Sequence, residues 1–352
     1  MKGNTRRLQH FNIITNKEMQ ILTTVMCKYK FDLVSAEKFR TTYKVITNHG
    51  NFCLKRMKHG RNKVKNACIL TEELLSNNFT NTGKYFRTKD GDFYVRYKKN
   101  IFYLTEWLEG EECDLNNIDE AVSCAKLLAQ FHFISNKIGR NKFHLRSNLK
   151  NWPNIFTSNL NNIEKFKRII ISKRIKNEFD VLFLENIDVF YNRGVSAINM
   201  VNKSQYYKLS KIANDEKTIC HNSFYYQNII KNKEEYFISD FDSIMIDLQI
   251  SDLGKFIRRL MFNKNYGWNF DFAKILIEAY NSINKLNKED LEIMFALIIF
   301  PNKFWKLGQK RYIKLRKWSE TKYLHKLNRI IEYNETQEKF FNDYLIFLEE
   351  YS

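Results

Sequence analysis

The sequence predicts an α+β protein of two lobes, a small antiparallel-sheet lobe followed by a larger, mainly helical one. Three observations carry that expectation. The chain has 352 residues, 44% hydrophobic and 15% aromatic, enough to bury two cores. Its early part breaks into short strand-like runs separated by turn signals. From Asn117 onward, apolar residues recur at helical spacing.

Taken in order, Thr15 and Glu18 have capping-box spacing ahead of Met19, Leu22, Val25 and Met26, which share one helical face. The chain therefore opens with a helix. Tyr43 to Thr47 reads as a strand, Asn48-His49-Gly50-Asn51 as a turn, and Phe52 to Arg56, which contains Lys55, as the returning strand. Arg61 to Asn77 reads as a helix with Val64, Ala67, Cys68 and Leu75 on its apolar side and Glu72 and Glu73 toward its end. GKYFRTKDGDFYVRYKKNIFYLTEWLEG then reads as a meander, with a hairpin turn at Asp90-Gly91 and a second turn at Lys98 to Asn100. Ile101 to Thr105 is a strand of the buried type, and Glu106 to Gly110 is its exit.

Asn117 and Glu120 are placed to cap a helix carrying Ala121, Cys124, Ala125, Leu128, Phe131 and His132. His132 reads as a buried structural histidine bonded to backbone. IEKFKRIIISKRIKN, inside a very basic stretch from 140 to 178, is either a solvated amphipathic helix or part of an anion-binding surface. Leu182 to Asn214 reads as helical. Between Lys303 and Arg329, ten basic residues stand against Glu320 alone. There Phe304, Leu307, Leu315 and Trp318 are expected to face a core while the cations face water. Phe340, Phe341, Tyr344, Leu345 and Leu348 give the last helix one packed face.

The formal net charge is +19, from 58 basic and 39 acidic residues. That balance favours anionic partners such as a nucleotide, a nucleic acid or an acidic protein surface. The six cysteines (27, 53, 68, 113, 124 and 220) have neither C-x-x-C spacing nor histidines at zinc spacing, so they are expected to be reduced thiols of a protein made in a cytoplasm. MKGNTRRLQHF lacks the apolar core of a secretory leader, and the longest unbroken apolar run, Ile293 to Phe300, is far short of a membrane span.

The most informative stretch is ICHNSFYYQNII followed by EYFISDFDS, residues 219 to 243. His221 to Asn228 is a polar, aromatic loop. Ile229 to Lys231 and Tyr236 to Ser239 read as two short strands around Asn232-Lys233, and the second delivers Asp240 and Asp242 at its exit. This layout resembles the catalytic loop and metal-binding segment of the aminoglycoside-phosphotransferase-like kinases, whose pattern is H-x-D-x-x-x-x-N, a hairpin, then an Asp. The resemblance implies a two-lobed, protein-kinase-like α+β fold, with an N-lobe over 1–105, a helical C-lobe over 106–352 and a hinge near 105–110. It makes His221 the motif histidine, and Asn228 and Asp240 the metal-holding pair. The catalytic Asp position is Ser223. Phosphoryl transfer needs a carboxylate near the attacking hydroxyl and hard oxygen ligands for Mg²⁺. An unassisted hydroxyl is a poor proton acceptor near neutral pH.

The same resemblance implies that Lys55 meets nucleotide phosphates and pairs with Glu72, with Glu73 as the second choice. It implies that Glu106 and Trp107, in the hinge, meet the purine; local sequence alone reads that run equally as a strand exit. Asp252, in the DL pair after the hairpin, would accept backbone N–H bonds from the catalytic loop, while Asp242 is either a supporting residue or a further metal oxygen. Ser35 to Val45 has no glycine where many kinases fold a Gly-rich loop over phosphates.

A narrower similarity is to the CotS family of bacterial spore coat proteins. It rests on the LKR around Lys55, the run K-D-G-x-x-Y-V then Y-L-T-E-W-L-E-G-E-E, and LIIFPNKFWKLGQKRYIKLRKW with its Pro301. It implies a spore coat protein in which a kinase scaffold serves coat assembly or docking alongside other coat proteins. Phosphotransfer would be degenerate, with ATP and Mg²⁺ as cofactors still bound. An active ATP-dependent kinase acting on a small-molecule or coat-protein hydroxyl is the alternative. A basic nucleic-acid-binding protein ranks third, because no nucleic-acid motif accompanies the charge.

Overall fold

The computed structural model describes residues 11–139, 142–149 and 151–351. All of MKGNTRRLQHF except its last residue, and residues 140, 141 and 150 of the basic stretch, lie outside the described residues. Packing divides the chain into two compact units. The first takes the chain up to Cys113, Lys137–Leu145 and Tyr225–Ile244; the second takes Asp114–Asn136, Arg146–Phe224 and Met245 onward. Residues 105–110, where a hinge is expected, belong to the first unit.

The first unit is built on an antiparallel sheet of β1 (Phe11–Asn12), β2 (Leu33–Phe39), β3 (Thr42–Thr47), β4 (Gly50–Met57), β5 (Tyr85–Phe86), β6 (Val95–Tyr97) and β7 (Asn100–Glu106). The order is β1-β2-β3-β4-β7-β5, with β6 also on β7. Alternation along β4 and β7 sends Phe52, Leu54, Phe102 and Leu104 to one face. There they pack with Leu22, Val25 and Met26 of α1 (Asn16–Met26), whose capping box joins Thr15 and Glu18 as expected. Ile101 and Tyr103 point the other way and meet Val64 of α2 (Arg61–Ser76).

Two features depart from the sequence expectation. The strand Leu33–Phe39 was not foreseen, because Ser35, Glu37 and Lys38 blur its alternation. The Asp90-Gly91 turn exists, with Gly91 N–H donating to the Thr88 carbonyl, but it does not join a hairpin. Both β5 and β6 pair with β7 along one edge, Tyr85 opposite Thr105 and Val95 opposite Phe102. The buried β7 run is the better partner for each.

A smaller sheet completes this unit. β8 (Glu111–Glu112) pairs with β10 (Ile229–Asn232), which pairs with β11 (Glu235–Ile238). Gly110 sits at the entry to β8 with φ 131°, and a Cβ there would collide with the Lys231 carbonyl, so only glycine fits.

The second unit is helical: α3 (Ile118–Ser135), α4 (Trp152–Ile171), α5 (Glu178–Lys203), α6 (Tyr206–Glu216), α7 (Ile250–Met261), α8 (Phe270–Asn281), α9 (Lys288–Ile299), α10 (Asn302–Gly308), α11 (Glu320–Ile331) and α12 (Asn334–Glu350). Its two short strands, β9 (Ile219–Cys220) and β12 (Met245–Ile246), pair with each other. Stacked rings tie the long helices together: Phe304 lies 4.1 Å from Phe183 and 4.2 Å from Phe190. Asn117 caps α3 by accepting from Asp119 N–H, whereas Glu120 accepts from Asp114 N–H and closes no reciprocal box.

Phe304 and Leu307 are buried as expected, but Leu315 is 71% exposed and Trp318 half-buried. The helix expected there stops after a single π turn at Gln309–Ile313, and Leu315 turns outward at φ 46°. Leu345 is likewise half out, one position off the Tyr344 stripe. All six cysteines are free thiols, and among the described residues no helix is long and apolar enough to cross a membrane.

Candidate functional site

The first unit contains a cavity of about 300 Å³ lined by Lys55, Tyr103, Glu106, Trp107, Asn228, Asp240 and Asp242, among others. Strand parity accounts for half of it. Lys55 on β4 and Tyr103 on β7 are register partners, as are Cys53 and Thr105, and all four point away from the α1 core. Tyr85 stacks on Tyr103, ring centroids 5.8 Å apart and parallel.

The β10–β11 hairpin supplies the other half. Asn228 ends a short 3₁₀ turn, and its carbonyl accepts from Ser239 N–H. Ile238 N–H donates to the Asn81 carbonyl, fixing the strand end from which Asp240 and Asp242 emerge. Asp240 takes a left-handed conformation, φ 69° and ψ 64°, which aspartate tolerates better than most residues.

The charges inside are tightly linked. Lys55 Nζ lies 3.2 Å from Asp240 Oδ1, and Tyr103 Oη donates to Asp242 Oδ2 at 2.5 Å. Burial opposes the Lys55 charge, but Asp240 and Asp242 outweigh it and raise its pKa. Burial pushes Asp242 up to about 6, against the pull of Lys55 and with the help of the Asp240 charge. Asp242 Oδ1 is buried with no hydrogen-bond donor. Two neighbouring carboxylates, one with an orphaned oxygen, and the Asn228 side chain are a donor set suited to a hard divalent cation.

The expected Lys55–Glu72 pair does not form. Glu72 accepts from Arg87 Nε at 3.0 Å and Nη2 at 2.9 Å, and it does not line the cavity. Glu73 binds Lys142 instead. The planar guanidinium of Arg87 matches both oxygens of Glu72, and Lys55 is left to Asp240. Tyr85 and Tyr103 were missed by sequence reasoning. The signal was available: position 103 on β7 has the parity that sets it beside Lys55 on β4. Trp107 packs edge-on against Phe39, and its ring lies 4.9 Å from Lys44 Nζ.

His221 and Ser223 belong to the second unit, at the exit of β9. Asp252, in the first turn of α7, accepts His221 N–H at 2.6 Å and Asn222 N–H at 2.9 Å, as expected for a residue that caps this loop. Ser223 N–H donates to His221 Nδ1 at 3.2 Å. His132 Nε2 lies 3.3 Å from Asp252 and its Nδ1 2.7 Å from Tyr280 Oη, so its partners are side chains and not the backbone expected. Burial opposes the Asp252 charge, but the His132 hydrogen bond and the Lys255 charge lower its pKa overall. Cys220, His132 and Asp252 present ligand-type atoms within 4.8 Å of one another. Since Asp252 already holds two backbone N–H groups, the trio is a structural hub.

Comparison with known proteins agrees with this architecture. The family model described as "Spore coat putative kinase YutH" matches residues 23–344. Spore coat protein S of Bacillus subtilis (strain 168) is 24% identical over 332 residues, covering 92% of this chain and 93% of that protein. The crystal structure of an aminoglycoside phosphotransferase from Alicyclobacillus acidocaldarius superposes with a TM-score of 0.80 at 16% identity, covering 98% of this chain and 99% of the other. The AMP-bound spectinomycin phosphotransferase APH(9)-Ia gives 0.64 at 15% identity, covering 92% and 98%. The fold is thus the kinase-like α+β fold, and the chain belongs to the spore coat kinase-like family whose model it matches from residue 23 to residue 344.

Proposed function

We propose that this protein is a nucleotide-binding pseudokinase of the spore coat, whose scaffold serves coat assembly or docking. The observation that carries the reading is a contrast within one motif. Asn228 and Asp240 line a cavity with Lys55. Ser223, at the position where the kinase pattern has its Asp, offers no carboxylate. Loss of a catalytic base costs about a hundred- to ten-thousand-fold in rate. Asp240, Asp242 and Asn228 would hold Mg²⁺, which would neutralise phosphate charge, and Lys55 would move from Asp240 to the nucleotide. Glu106 and Trp107 are the residues that would meet the base.

The test pairs thermal shift with Mg-ATP and a radiolabelled phosphate-transfer assay. The wild type is expected to be stabilised by Mg-ATP without turnover above background, and Ser223→Asp to gain turnover. Robust wild-type turnover that disappears in Asp240→Ala would overturn the reading.

A second reading is an active ATP-dependent phosphotransferase acting on a small-molecule or coat-protein hydroxyl. It is favoured by Asn228, Asp240 and Asp242 lining one cavity with Lys55, since positioning and metal charge carry much of such catalysis.

A further inference from the structure

The second unit carries a surface that the cavity does not explain. After α10, the π turn at Gln309–Ile313 ends the helix and the chain runs in an extended loop to Ser319. Leu315 stands at the tip, 71% exposed, with φ 46°. A left-handed conformation is costly for a leucine and normally falls to glycine or asparagine. The loop is nevertheless fixed on both sides. Lys314 N–H donates to the Gln309 carbonyl at 2.8 Å, Arg316 N–H to the Lys310 carbonyl at 2.9 Å, and the buried Tyr323 hydroxyl to the Arg316 carbonyl at 2.9 Å. An aliphatic side chain is thus presented to solvent by a well-bonded frame.

Its chain neighbours are cations. Lys314, Arg316 and Lys317 flank Leu315 in sequence and are exposed. Three more gather on the nearby Trp318: Lys310, Lys322 and Lys326 place their ammonium groups 4.9, 4.8 and 5.4 Å from its ring centroid. The only carboxylate in the segment, Glu320, is consumed by Arg311 at 2.6 Å and also accepts from Asn177. None of the six other cations forms an ion pair among the described residues. Like charges gathered this closely, without counter-charge, repel one another unless an anion joins them.

We infer that this surface docks a carboxylate-rich segment of a protein partner, with Leu315 as the apolar anchor and the neighbouring lysines and arginines as its clamp. A nucleic acid fits less well. Base stacking needs an open aromatic face, and Trp318, half-buried, is approached by three ammonium groups. An exposed aliphatic knob has no counterpart in a phosphate backbone, whereas an acidic amphipathic peptide supplies both chemistries. None of these residues lines the cavity, so docking here does not depend on nucleotide binding.

The test is fluorescence anisotropy with the full chain and three labelled probes: a peptide of repeated Glu-Glu-Leu-Glu units, a polyglutamate peptide of equal length, and a single-stranded oligonucleotide of equal charge. The leucine-containing peptide is expected to bind best. Lys314→Glu, Arg316→Glu and Lys317→Glu combined should weaken it about tenfold or more. Leu315→Gly keeps the backbone conformation and removes the anchor, so it should weaken that peptide while leaving the polyglutamate signal unchanged. Failure to bind either peptide, wild-type affinity in the charge-reversed protein, or an oligonucleotide that binds more tightly than the peptides and ignores Leu315→Gly would each overturn the proposal.

Discussion

Arg87 grips both oxygens of Glu72, at 3.0 and 2.9 Å, while Lys55 rests 3.2 Å from Asp240. The strand lysine is therefore neutralised by the hairpin and not by the helix that follows it. Glu72 and Arg87 are each more than a third exposed, and such pairs contribute about 0–1 kcal/mol. Glu72→Gln is accordingly expected to shift the thermal midpoint little and to leave any Mg-ATP stabilisation intact, whereas Lys55→Met should abolish that stabilisation. Equal loss in both variants, read by thermal shift, would restore the helix carboxylate to the site.

Removal of the Asp252 carboxylate strips His221 and Asn222 N–H groups and His132 of a shared buried acceptor. Asp252→Ala is expected to destabilise by about 3–5 kcal/mol, the range for breaking a buried charged network. Denaturant unfolding measures it, and a loss below about 1 kcal/mol would mean that the loop finds other acceptors.

Glu18 accepts from Lys38, from Thr15 N–H and from the Tyr43 hydroxyl, and its pKa falls from 4.5 to about 2, the Lys38 bond being the largest cause. A carboxylate depressed on folding stabilises above its unfolded value and loses that contribution as pH falls through the folded one. Wild-type stability should therefore drop between about pH 4.5 and about 2, and Glu18→Gln should flatten that part of the profile while lowering the neutral plateau. Thermal midpoints across that range decide it; parallel curves would show that Glu18 is not the titrating group.

Gly110→Ala forces a Cβ into the Lys231 carbonyl and a side chain into φ 131°. A cost of at least about 1–3 kcal/mol is expected, together with weakened Mg-ATP stabilisation, because Gly110 lines the cavity beside Ile230. An unchanged melting curve would show that β8 is free to shift away from β10.

What could be read beforehand followed local rules. The Thr15–Glu18 box, the 61–76 helix and the 229–238 hairpin were legible because capping, helical period and turn chemistry act over a few residues. Lys55, Glu106, Trp107, Asn228 and Asp240 could be singled out because family motifs lie in contiguous runs. The Glu72 partner was not legible: a side chain on α2 chooses among cations brought near by the whole sheet, and Arg87 arrives from a loop whose strands do not pair with each other. Leu315 was misjudged for a similar reason. Its helical spacing holds only if the helix continues, and the π turn ends it first.

The first unit is assembled from three separated stretches, and Asp240 reaches the cavity only with the last of them. During synthesis, the sheet bearing Lys55 must therefore wait while well over a hundred further residues leave the ribosome. Until then Lys55 lacks its counter-charge and β8 lacks its neighbour, so a nascent or truncated chain ending before residue 229 would present an open, cationic half-pocket, a natural point of recognition for folding helpers.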